Sequence, residues 1–169
     1  MRRAHARVVV TTLMLLAYDL TAQAQTPVDG LTPPASSESV RTAADMISWG
    51  AALANVALDT ADSWHSAQKT HAFVKQGVRL GAAQLSAVAL KRLVHRRRPC
   101  APDCGSDDPD LSFPSGHTAM ACASIGRTRL SFTIPLAIIT AEGRILAKKH
   151  WLTDTLAGCS LGVMFSLIH

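Results

Sequence analysis

The chain has 169 residues, 48 % of them hydrophobic and 17 % charged, and a formal net charge of +5, with a mean hydropathy of +0.17. That is the size of one domain. It is too apolar for a disordered chain, and less apolar than a chain lying mostly in a bilayer. Collagen, coiled coil, a disulfide-dense scaffold and a multidomain enzyme are excluded, and an aromatic content of 5 % argues against a stacking platform for single-stranded nucleic acid.

Residues 1–24 read as a secretory signal peptide: Arg2, Arg3 and Arg7 precede an apolar run from Val8 to Ala17, and Ala22-Gln23-Ala24 is a small-x-small site with cleavage expected before Gln25. An uncleaved membrane anchor is the alternative, although the run is short for a span. Much of the basic character therefore belongs to targeting. Residues 25–38 (QTPVDGLTPPASSE) are rich in Pro, Ser and Thr and read as an extended lead-in.

The domain proper is expected over residues 39–169, as an all-α bundle. Ser36 or Ser37 would cap a first helix from about Ser39 to Ala61. A second runs from about Thr70 to Arg97, with Phe73, Val74, Val78, Leu85, Val88 and Leu90 at helical spacing. Pro99 ends it. Residues 100–113 form a long, Asp-rich loop, and loops of that length in small domains are usually functional. A third helix starts near Ser115 and ends near Gly126, a fourth covers about Ile134 to Lys149, and a fifth runs from about Trp151 to the C-terminus. The third, at about twelve residues or ~18 Å, is shorter than a ~30 Å hydrocarbon core. Lys75 and Arg79 interrupt the second, so a soluble or peripheral helical domain is expected.

Export would place four cysteines in an oxidising compartment. Cys100 and Cys104 could close a small loop, though the geometry is demanding, and zinc would need further ligands. Cys122 and Cys159, in apolar helical stretches, read as buried thiols.

Three clusters carry chemistry. In the first, Lys91 and Arg98 are seven apart and would share one helix face, two permanent cations suited to phosphate oxygens. A solvated basic run or a nucleic-acid patch is the plain alternative. In the second, Ser115 stands at a helix N-cap, Gly116 permits close backbone approach, and the free N–H groups favour an anion. His117 projects from that turn and could donate a proton to a leaving group. A simple loop-to-helix junction would look the same. In the third, His150 and Asp154 are four apart, so a carboxylate could orient one imidazole nitrogen and leave the other nucleophilic. The alternative is a surface pair. No metal-binding signature is present.

Taken together, Lys-x6-Arg-Pro, Pro-Ser-Gly-His and Arg-x5-His-x3-Asp, in this order, resemble the type 2 phosphatidic acid phosphatase (PAP2) superfamily, which also holds class A acid phosphatases and vanadium haloperoxidases. The resemblance covers Lys91 to about Gly162 and includes Leu93-Val94, Phe113, Thr118 and the WLTDTLAG stretch from Trp151. It implies a compact bundle of about five to six helices with one phosphate pocket. His150 would be the nucleophile forming a phosphohistidine, Asp154 its orienting carboxylate and His117 the general acid. Lys91, Arg98 and Arg144 would neutralise phosphate oxygens, with Ser115 and the Gly116 N–H assisting. It further implies a phosphatase needing no metal or cofactor, acting on a phosphorylated lipid or a small phosphate ester in the periplasm or cell envelope, with a membrane surface as a further contact and no nucleic acid. A vanadate-dependent haloperoxidase and a non-catalytic anion-binding envelope protein are the alternatives. Two features depart from the family: Gly143 stands where Ser is frequent, so a hydroxyl contact is expected to be missing, and an early core helix is expected to be absent or abbreviated. His95, Arg96 and Arg97 read as a solvated or headgroup-facing run. His65, His71 and His169 receive no role.

Overall fold

The computed structural model describes residues 29, 37–125 and 129–167. The expected signal peptide, nearly all of the lead-in, Gly126 and His169 lie outside the described residues. Five helices are present among them and no strand: α1 (Glu38–His65), α2 (Lys69–Val94), α3 (Gly116–Ala123), α4 (Leu130–Leu146) and α5 (Leu152–Ser166). The fold is therefore an all-α bundle. Ser37 does occupy the N-cap of α1, but its side chain makes no capping bond. Helix α4 begins earlier than expected, with Pro135 inside it. Near the start of a helix, proline removes one backbone bond and fixes a φ that the helix already requires.

The short α3 is the axle. It packs most closely on α5 and also touches α1, α2 and α4, while α1 lies along α4. Small and polar residues line these contacts. Helix α1 buries Ala44, Ser48, Ala51, Ala52, Asn55, Asp59 and Ser63, a stripe with helical spacing. Asn55 Nδ2 donates to Ala121 O on α3 (3.1 Å) and Thr133 O on α4 (2.9 Å), tying three helices together. Glycines set the α3–α5 spacing: a Cβ on Gly158 would lie 2.3 Å from Ser115 O, and one on Gly162 2.2 Å from Ala119 O.

The large apolar side chains point outward. Val74, Val78, Leu85 and Val88 of α2 are exposed, as are Met46, Ile47, Trp49 and Leu53 of α1 and Phe132, Ile134, Ile138 and Ile139 of α4. The apolar stripe expected on α2 is thus helical, but much of it faces away from the core. Periodicity shows which residues share a face, and the small residues Ala83 and Ala87 win the inward face because they let helices approach closely. Among the described residues no helix is long and apolar enough to cross a membrane.

All four cysteines pair. Cys100–Cys104 closes the small loop. Cys122 bonds to Cys159, joining α3 to α5, so the expectation of two buried thiols is corrected. Both residues do lie on helices, but those helices approach so closely that the two sulfurs meet.

Candidate active site

The first cluster is built differently from the sequence expectation. Helix α2 stops at Val94 rather than near Arg97, because His95 turns into the left-handed region at φ 50°. Residues 96–98 then run extended against the end of the long loop: Ser112 N donates to Arg96 O (2.8 Å) and Arg98 N to Pro109 O (2.7 Å). Side chains alternate along extended backbone, so Arg96 and Arg98 are buried while Arg97 stays exposed. Lys91 and Arg98 do not share a helix face; the turn brings them together instead. Lys91 Nζ donates to Leu111 O (2.8 Å) and Ser112 O (3.1 Å). Arg98 is fixed by Nε to Asp108 O and Nη1 to Lys149 O, both 2.8 Å.

In the second cluster, Ser115 is the N-cap of α3 as expected. Its hydroxyl is engaged with Thr118, 3.0 Å from Oγ1 and 3.5 Å from the Thr118 N–H, and its own N–H donates to Asp154 O at 2.9 Å. Gly116, the first residue of α3, has no intrahelical partner for its N–H, and Gln84 Nε2 holds its carbonyl at 3.1 Å. The His117 ring lies edge-on to Trp49, with centroids 4.0 Å apart.

The third cluster spans a helix end and a helix start. Helix α4 ends at Leu146, and the N–H groups of Lys149 and His150 both donate to Arg144 O, at 3.1 and 3.2 Å. His150 precedes α5, whereas Asp154 lies in its first turn, where the helix N-terminus favours a carboxylate. The two are therefore not neighbours on one helix, yet His150 Nδ1 sits 3.6 Å from Asp154 Oδ2, an ion-pair distance just beyond a hydrogen bond. Asp154 is fully buried and well supplied: Oδ1 accepts from Arg96 Nη1 (2.6 Å), and Oδ2 from Ser112 Oγ (2.5 Å) and the Trp151 N–H (2.9 Å). Arg144 is buried and paired with Asp45 of α1. Lys149 reaches back to the disulfide loop, through Cys104 O (2.9 Å) and Asp107 (2.7 Å).

Gly143 has a packing explanation. A Cβ there would lie 2.7 Å from Ser48 Cβ and 2.8 Å from Ala44 O. Glycine at 143 lets α1 and α4 close on each other, and that approach sets Arg144 beside Asp45.

Charges in this cluster act on one another. Burial pushes Lys91 down to about 7, and Arg98 and Arg144 push the same way. Burial, then Arg144 and His150, lowers His117 to about 3. Burial also lowers His150 to about 3, with Lys91 and Arg144 adding to the shift and Asp154 opposing it. The carboxyl of Asp154 is held below its usual range: burial opposes this, but His150, Arg96 and Ser112 outweigh it. Both histidines are neutral when folded and protonate near pH 6.5 when unfolded. Between pH 6.5 and 3 the unfolded chain therefore binds more protons, and stability falls as pH falls. We expect the urea midpoint to drop from pH 6.5 to 4.5, and His117→Gln to remove roughly half of the histidine contribution to that slope. An unchanged slope in that variant would contradict the assignment.

The structure thus gathers His117, His150, Asp154, Lys91, Arg98 and Arg144 at one place, with Ser115 and Gly116 at the α3 terminus beside it. Sequence reasoning missed Arg96, Ser112, Lys149 and Asp29. Arg96 was hidden in a run of cations, and its signal was the alternation before Pro99.

An all-helical bundle with this cluster of side chains defines a class, and comparison names it: the PAP2 superfamily model matches residues 72–169, more than half of the chain. The chain belongs to the PAP2 superfamily. It is 39 % identical over 93 residues to decaprenylphosphoryl-5-phosphoribose phosphatase from two strains of Mycobacterium tuberculosis, CDC 1551 and H37Rv, a match covering 51 % of this chain and 52 % of each relative. The chain thus spans about half the length of the curated relatives it matches. Its fold is similar to that of a transmembrane PAP2-type phosphatidylglycerolphosphate phosphatase from Bacillus subtilis, with a TM-score of 0.64, 18 % identity, and coverage of 94 % of this chain and 92 % of the other.

Proposed function

We propose that this chain is a phosphatase that hydrolyses phosphate monoesters carried on lipids, through a phosphohistidine on His150. The observation that carries the reading is the convergence of His150, backed by Asp154, with three cations and a second histidine. Phosphoryl transfer is mainly positioning and charge stabilisation; Arg98 and Arg144 supply that charge, and Lys91 joins them as a bound phosphate anion raises its lowered proton affinity.

In this route Asp154 keeps a proton on His150 Nδ1, leaving Nε2 to attack phosphorus. The P–O bond to the leaving group breaks as His117 gives that oxygen a proton. A water then attacks phosphorus, His117 takes its proton, the P–N bond to His150 Nε2 breaks, and inorganic phosphate leaves. A phosphate anion beside His117 adds opposite charge and raises its affinity for the proton it must donate.

Two observations support a lipid substrate. Many large apolar side chains on α1, α2 and α4 are exposed, and exposed apolar surface of that kind suits contact with a membrane. Both similar proteins are named for phosphate groups borne on lipids. An exported, envelope location completes the proposal, with residues 1–24 as the signal peptide and residues 39–169 as the catalytic domain.

The test is phosphate release from a soluble aryl phosphate and from detergent-dispersed phosphatidate, with His150→Ala as background. Wild-type turnover above that background, faster on the lipid, and an acid-labile phosphoenzyme absent from the variant are expected. A folded wild type no more active than His150→Ala on either substrate would overturn the reading.

A further inference from the structure

Behind Asp154 lies a second layer of buried charge that the proposed reaction does not use directly. The side chain of Arg96 is only 8 % exposed, and those of Asp29 and Asp154 are 0 % exposed. Arg96 splits its fork between two carboxylates: Nη1 donates to Asp154 Oδ1 (2.6 Å) and to Thr153 Oγ1 (2.5 Å), and Nη2 to Asp29 Oδ2 (2.5 Å). The other oxygen of Asp29 accepts from Thr153, through Oγ1 at 2.9 Å and the backbone N–H at 3.3 Å. The guanidinium lies 5.8 Å from the centre of the Trp151 ring, which helps to cover it.

We infer that Asp29 and Arg96 are positioning residues for Asp154, and through it for His150; this rests on the phosphohistidine reading above. A guanidinium and a carboxylate in free choice form two parallel bonds. A two-bond Arg96–Asp154 pair would claim Oδ2, the oxygen that faces His150. Asp29 prevents this by engaging Nη2, so Arg96 meets Asp154 through Oδ1 alone. Oδ2 is then left to Ser112, the Trp151 N–H and His150. Thr153 fixes the geometry from the first turn of α5, since it bonds both Arg96 and Asp29. Asp29, which precedes α1 in the sequence, is thereby fastened behind Asp154. Asp29 also lies past the expected cleavage after Ala24, so processing would leave it in place.

The test uses the full chain in detergent with Asp29→Ala, Asp29→Asn, Arg96→Ala and the Asp29→Ala/Arg96→Ala double variant. Kinetics on the aryl phosphate give one readout, and 15N spectra of labelled histidines, with His150 assigned through His150→Ala, give another that needs no turnover. Removing a group that orients a metal-binding histidine typically costs about 10- to 100-fold, and the same scale applies to a group that orients His150 through Asp154. We expect kcat to fall by that factor in Asp29→Ala, with KM and the inhibition constant for inorganic phosphate within about twofold. Asp29→Asn, which keeps an acceptor oxygen, should recover part of the loss. The double variant should lose no more than Arg96→Ala, because both act through one carboxylate. His150 should carry its proton on Nδ1 in the wild type and show a mixture of tautomers in Asp29→Ala.

An unchanged His150 spectrum and kcat in folded Asp29→Ala would overturn the inference, and so would additive losses in the double variant. If Asp29→Ala fails to fold, Asp29→Asn faces the same criteria. If the wild type turns nothing over but the tautomer shifts as described, the phosphatase reading fails and the positioning role stands.

Discussion

Asp154→Asn should lower kcat for phosphate release by about 10⁴-fold, the scale seen when the carboxylate behind a catalytic histidine becomes an amide. Four groups converge on this carboxylate: Arg96 on Oδ1, and Ser112, the Trp151 N–H and His150 around Oδ2. An amide offers one acceptor oxygen. If that oxygen meets Arg96, the NH2 faces the Trp151 N–H and His150 Nδ1, opposing donor to donor. The imidazole then places its proton on Nε2 and cannot attack. If the amide turns the other way, its NH2 faces the guanidinium of Arg96. The hydrogen bonds and ion pair that hold Lys91, Arg98 and Arg144 go to groups other than this carboxylate. Inhibition by inorganic phosphate should therefore stay within a fewfold of wild type while turnover collapses. Steady-state release and phosphate inhibition, measured on the same folded preparation, separate the two. Near-normal kcat would mean that Asp154 is a structural cap of α5 and no more.

Gly162→Ala should cost about 3 kcal/mol, the upper end of what overpacking usually costs, and lower Tm by roughly 10 °C. The added methyl would lie 2.2 Å from Ala119 O, 2.7 Å from Ala123 N and 2.9 Å from Cys122 Cβ. Two of these three atoms are backbone of α3, which is buried on almost every side and has nowhere to retreat. Gly81→Ala is the matched control. It sits within α2 with nothing within 4 Å of the new methyl, and should gain up to about 1 kcal/mol from helix propensity alone. Thermal unfolding followed by circular dichroism distinguishes the pair. Equal melting temperatures would mean that α3 and α5 are not locked at this distance.

The helices and the side-chain cluster were largely legible because short words carry them: Lys91 to Pro99, Pro114 to Thr118 and Arg144 to Asp154 each hold several chemically demanding residues. What stayed hidden was a change of period. Arg96 reads as a helical surface residue only while α2 is assumed to continue. Once His95 turns into the left-handed region, the alternating pattern of extended backbone decides, and Arg96 and Arg98 turn inward. The four-residue spacing of His150 and Asp154 suggests one helix face, but the chain bends before α5 and the two meet across that bend. The direction of an amphipathic face was equally invisible. Val74, Val78, Leu85 and Val88 look like core by spacing, yet Ala83 and Ala87 take that place. Asp29 could not have been found, since its partners Arg96 and Thr153 are joined to it only by the tertiary fold.

The covalent link between α3 and α5 makes maturation of this protein a redox event. Four thiols become two bridges, so each chain hands four electrons and four protons to an external oxidant. Closing the Cys122–Cys159 loop removes unfolded-chain freedom on the order of 4 kcal/mol, against about 2 kcal/mol for the small Cys100–Cys104 loop. Between Cys122 and Cys159 lie Arg144, His150 and Asp154, and His117 stands on the same short helix as Cys122. A newly made chain that meets no oxidant must therefore hold its two histidine-bearing segments in register by packing alone.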